Sequence, residues 1–141
     1  MSWFDATFFR GYMIKGTRFL ICAIAGLALQ ASAATLSHDD AKKLWEQSKG
    51  RAGYDQYSDE FAQFNNSHHL DEKGGCYGLS RGPVTIYLVI KHNVGEKFAV
   101  VEQVASDVDN AKARCFKKTY TGLPTKAPPF LPFVLQMNMG G

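Results

Sequence analysis

Proline is absent from the first 82 of the 141 residues; all five prolines come later. A Pro-rich spacer in the first half is therefore excluded. An excess of one charge is missing too: 16 Lys and Arg face 13 Asp and Glu. Arg10, Lys15, Arg18 and Asp5 lie in the first 33 residues, which leaves the remainder close to neutral. A nucleic-acid binder would show a basic stripe or a strongly basic domain, and neither is there. No apolar run reaches the ~18 residues of a membrane-spanning helix. The longest, Phe19 to Leu29, has 11 residues, a rise of ~16 Å against ~30 Å of hydrocarbon. The chain also lacks G-x-S-x-G, H-E-x-x-H, P-loop and C-x-x-C patterns. The nucleophile, zinc and phosphate chemistries those patterns carry have no sequence basis here.

The short apolar run has a definite context. Lys15 and Arg18 precede it and Ala31-Ser32-Ala33 follows it. A positive segment, an apolar segment and an A-x-A site compose a secretory signal peptide. Cleavage is expected after Ala33, so residues 1–33 read as the signal. Met13 is an alternative start, with residues 1–12 as an upstream extension. Cys22 lies inside the run, after the bulky Ile21, unlike a lipoprotein cysteine. Removing the signal leaves Cys76 and Cys115. An even pair in an exported chain reads as a disulfide, against two buried free thiols. The expected location is the periplasm or the outside of the cell, without stable membrane insertion after cleavage.

Ser37 with Asp39 and Asp40 opens a helix: a hydroxyl cap followed by acids in the first turn. It runs through Leu44 and Trp45 to near Gly50. Tyr57, Phe61 and Phe64 recur at helical spacing and predict a second helix over 54–64. Residues 65–82 read as a polar, Gly-rich connection containing Cys76. Val84, Ile86, Leu88 and Ile90 alternate with Thr85, Tyr87, Val89 and Lys91, as in a strand. A turn over 92–96 leads to a valine-rich return strand over 98–105. Glu102 breaks its alternation, which a bulge or an open face would explain. A helix is expected from Ser106-Asp107 to near Tyr120, with Gly122 just beyond. Val108, Ala111, Cys115 and Phe116 form its core stripe, and Lys112, Arg114, Lys117 and Lys118 face out. Three prolines within 128–132 exclude helix and central strand there. The last strand covers 133–139, with Phe133, Leu135, Met137 and Met139 on one face. The fold class is α+β: a two-layer arrangement of a three-stranded antiparallel sheet packed by a long helix, in the order α-α-β-β-α-β. The chain divides into the signal, a helical segment with its connection over 34–75, and a ββαβ domain over 76–141.

One set of residues carries a resemblance. Cys76-Tyr77 is followed by Gly82-Pro83-Val84 opening a strand that ends in Leu88-Val89-Ile90. The return strand ends in Val104-Ala105-Ser106. Ala111, Ala113 and Cys115-Phe116 lie on the helix, and Pro128 to Phe130 leads into the final strand. This stretch resembles the TonB/TolA C-terminal periplasmic domain, in the cysteine-bearing form of AgmX/PglI-type proteins. The resemblance implies a small sheet with an open edge able to accept a strand from a partner protein in the cell envelope. Three strands leave two edges, and the one on the last strand, at Val134, Gln136 and Asn138, is either covered by the Trp45-bearing helix or kept for a partner. Two other readings stand beside this non-catalytic module. One is a secreted inhibitor or immunity-type protein that uses a disulfide-stapled surface; the other is an enzyme of unknown class.

No catalytic residue, metal site or cofactor is assigned. The best metal candidate, His68-His69 with His38 or Asp71, lacks ligand spacing and reads as a surface loop. The acid pairs Asp39/Asp40, Asp59/Glu60, Asp71/Glu72 and Asp107/Asp109 read as capping or loop residues.

Overall fold

The computed structural model describes residues 34–140. The expected signal peptide falls on residues 1–33 and lies outside them. Helix α1 spans His38–Ser48 and is capped as expected: the Asp40 N–H donates to Ser37 Oγ at 3.2 Å. Helix α2 spans Tyr54–His68 and buries Tyr54, Tyr57, Phe61 and Asn65 along one stripe. It outruns the expected end at 64 by four residues, so part of the predicted connection is helical. The cause is tertiary. Tyr120 Oη donates to Asn65 Oδ1 at 2.6 Å inside the core, which fixes another turn of polar sequence. A short 3-10 turn over Cys76–Leu79 follows.

Strand β1 covers Val84–Ile90 and is central in a sheet of order β4-β1-β6. β4 is Gln103–Ser106 and β6 is Phe133–Met139; both run antiparallel to β1. The three-stranded antiparallel sheet is thus present. The single return strand over 98–105 is not. It divides into β3, Phe98–Val100, and β4, and the two pieces join different sheets. β3 pairs with β2, Asn93–Val94, and with β5, Pro124–Lys126, in a second small sheet of order β2-β3-β5. Glu102 marks the switch. Its N–H donates to Val89 O at 2.9 Å although Val89 is in register with Gln103. Two residues therefore oppose one, as in a bulge. The Glu102 carboxylate turns back to accept from Lys91 N–H and lies against His92 Nδ1. β5 was not expected from its proline. Pro124 is its first residue, where a missing N–H is tolerated.

Both faces of the first sheet are covered. Val84, Ile86, Leu88 and Ile90 pack with Phe133, Leu135, Phe116 and Phe61, beneath α2 and α3. Tyr87, Val89, Ala105 and Val134 pack with Ala41, Leu44 and Trp45 of α1. The sheet packed by α3 therefore has α1 as an added layer, which explains why β1 is apolar at nearly every position.

Helix α3 covers Ala111–Tyr120 and starts later than expected, because Asn110 takes the cap: its Oδ1 accepts from Ala113 N–H at 2.8 Å. Val108 precedes the helix and is exposed, so the buried stripe is Ala113, Phe116 and Tyr120. Lys112 does not face out. It is 1 % exposed, and its Nζ donates to Gly82 O at 2.7 Å, tying the helix start to the turn before β1. Gly122 follows the helix with φ +82°, and its N–H donates to Val101 O.

The expected disulfide is present: Cys76 and Cys115 are bonded, with Cα atoms 5.5 Å apart. It joins the 3-10 turn to α3. A polar chain runs beside it. Asn65 Nδ2 donates to Asp71 Oδ1, and Tyr77 Oη donates to Asp71 Oδ2 at 2.8 Å. Tyr77 is pushed up to about 12 by burial first and the Asp71 carboxylate second. Burial pushes the Tyr120 hydroxyl up as well.

Candidate functional site

The edge of β6 follows from pairing arithmetic. Successive residues of a strand aim their N–H and C=O groups to opposite sides. Asp107 N–H donates to Thr85 O, and Glu102 N–H to Val89 O. The odd residues of β1 therefore face β4, and its even residues face β6. The register pairs Val84 with Met139, Ile86 with Met137, Leu88 with Leu135 and Ile90 with Phe133. That leaves Val134, Gln136 and Asn138 aiming their backbone groups away from the sheet. Among the described residues those groups meet no backbone partner.

Their side chains differ. Val134 is fully buried beneath α1, so neither its side chain nor its backbone is on offer. Gln136 is half-buried, and its Nε2 lies 3.3 Å from Tyr87 Oη. Asn138 is exposed and accepts from Thr85 Oγ1 at 3.2 Å. The link between α1 and α2 carries the chain from one face of the sheet to the other near the start of β6. There Arg51 lies over the Phe130 ring at 3.7 Å. The far end of the strand, at Gln136 and Asn138, is the more open one.

The histidines do not converge. His38 bonds Asp39 and lies against Tyr87, on the α1 side of the sheet. His68 lies against Phe64 O, and His69 pairs with Glu72 at 3.4 Å. Among the described residues no three His, Cys, Asp or Glu side chains group as a metal site. Nor is any described helix long and apolar enough to cross a membrane.

A second surface was not anticipated. Between α2 and the small sheet lies a cleft of about 470 Å³. Phe61, Phe64, Phe98 and Pro124 form its apolar walls. Phe98 is 62 % exposed although it lines the cleft. Tyr57 and Thr125 form the polar part of the lining, and both hydroxyls are engaged. Tyr57 Oη donates to Lys126 O at 2.7 Å, so Thr125 Oγ1 supplies the proton of the 2.9 Å bond between them. Burial pushes the Tyr57 hydroxyl up. At the rim, Lys126 Nζ meets Glu60 Oε2 at 2.7 Å. Hydrogen bonds from Lys126 and then Gln56 hold the Glu60 carboxyl below its usual range. Lys97 is the other rim cation. The walls of the cleft come from three segments far apart in the chain, so no local pattern marks it beyond Phe98, an aromatic next to a turn.

Comparison of the chain with family models, curated proteins and solved structures gives no match.

Proposed function

We propose that the protein is an exported, non-catalytic protein-binding module that pairs an extended segment of an envelope protein with the open edge of β6. One observation carries this reading: the outward backbone groups of Gln136 and Asn138 lack backbone partners among the described residues and neither residue is buried, while both faces of the same sheet are covered. A face-covered sheet has only its two edges to offer, and edges take up strands. The disulfide is compatible with an oxidising compartment, and the signal-like residues 15–33 support export.

The test uses Gln136→Pro, which removes an outward N–H without removing a bond to β1. Gln136→Ala keeps that N–H. Envelope proteins are cross-linked to each variant and identified, with near-ultraviolet circular dichroism verifying the fold. Binding lost in the proline variant and kept in the alanine variant supports edge pairing. Equal binding by both refutes it.

A second reading has one observation in its favour. Tyr77 and Leu79, on the stapled 3-10 turn, are 39 % and 52 % exposed. An inhibitor or immunity-type protein would use such a rigid apolar surface. Leu79→Ser would then abolish capture of an exported toxin, and Gln136→Pro would not.

A further inference from the structure

The cleft between α2 and the second sheet has the shape and chemistry of a small-ligand site, separate from the β6 edge. Its volume of about 470 Å³ lies within the ~300–1,000 Å³ of small-molecule sites. Phe61, Phe64, Phe98 and Pro124 offer it apolar surface. The hydroxyls of Tyr57 and Thr125 are spent on each other and on the Lys126 carbonyl. Both hydroxyl protons are spent, so the acceptors of a polar body would lose water without finding a donor on these groups, which is costly. An apolar body loses nothing.

The rim determines the charge of the occupant. Glu60 and Lys126 neutralise one another across 2.7 Å. The Glu60 carboxyl is held below its usual range, so the pair stays ionised at neutral pH. Lys97 has no carboxylate within ion-pair distance among the described residues. The rim therefore carries one uncompensated positive charge beside an apolar concavity.

We infer that this cleft binds a small amphiphile, an aromatic or short acyl body bearing one anionic group, with the body between Phe64 and Phe98 and the anion on Lys97. Phe98 is the residue that makes this economical: it is an aromatic surface already exposed, so covering it gains apolar burial without rearranging the core.

The probes are anilinonaphthalene sulfonate and the uncharged phenylnaphthylamine, which share an aromatic body and differ in the sulfonate. Fluorescence titration of the purified protein is expected to saturate at one molecule per chain, with the sulfonate bound more tightly. Lys97→Gln should weaken the sulfonate about 2- to 5-fold, as expected for an exposed ion pair, and leave phenylnaphthylamine unchanged. Phe98→Ser should weaken both by about tenfold. Both residues are exposed, so the variants should keep the native near-ultraviolet spectrum. Three results would overturn the inference: non-saturating binding, sulfonate binding that ignores Lys97→Gln, or sedimentation showing a second copy of the chain displaced by either probe.

Discussion

The two sheets of this molecule are built from one continuous stretch of chain and do opposite things with it. The first is covered on both faces, by α1 on one side and by α2 and α3 on the other. It offers solvent little but the backbone of its two edges, β4 and β6. The second is small, and its exposed Phe98 and Val94 stand 62 % and 61 % open to solvent. It offers side chains. The switch between them is a single bulge at Glu102. A protein of this size can thus hold two surface chemistries apart: unpaired backbone where packing is finished, apolar side chains where it is not.

The largest expected effect falls on the staple that ties the first sheet's surroundings together. The bonded cysteines are 39 residues apart, and a loop of that length gives about 4 kcal/mol in the chain-entropy model. Cys115→Ala should lower denaturant stability by about that amount. A loss under ~1 kcal/mol would mean that packing alone holds the 3-10 turn on α3. Leu88→Ala, at the fully buried centre of the first sheet, should cost about 2–5 kcal/mol. Its counterpart in the second sheet, Phe98→Ala, should stay within ~0.5 kcal/mol. Equal losses would erase the contrast between the sheets.

A smaller effect is expected from Tyr120→Phe. It strands Asn65 Oδ1 in the core, at about 1–3 kcal/mol. Alkaline titration sharpens the comparison further. All five tyrosines among the described residues have their hydroxyls pushed up, with burial the largest cause. Raised values favour the neutral form in the folded state. The associated stability is complete below the usual value of 10 and is lost as pH rises through the folded values, about 12 for Tyr77. Stability should be level between about pH 7 and 9 and fall from about pH 10 upward. In Phe98→Ser the fall should persist, because of the five tyrosines only Tyr57 lines the cleft with Phe98.

Much of the first sheet was legible along the chain. The alternation at Val84, Ile86, Leu88 and Ile90, the Ser37 cap and the Cys76–Cys115 pairing are local or compartmental signals. What escaped is non-local. The bulge at Glu102 is signalled by the broken alternation, but the division of the return strand between two sheets is not, since the Glu102 carboxylate turns back to Lys91 and His92, eleven and ten residues away. The added turns of α2 depend on Tyr120, 55 residues away. Lys112 reads as surface by its chemistry, yet it is buried because Gly82 O accepts its ammonium. β5 exists only because β3 supplies its register. The cleft inherits all of this, since its walls need both the split strand and β5.

Amide hydrogen exchange along β6 tests the central claim most directly. Phe133, Leu135, Met137 and Met139 face β1, and Val134, Gln136 and Asn138 face outward. In the free protein, slow exchange is expected at 135 and 137 and fast exchange at 136 and 138. Binding of an envelope partner should slow 136 and 138 and leave 135 and 137 as they were. Uniform protection along β6 in the free protein would contradict the account, because the edge would already be closed.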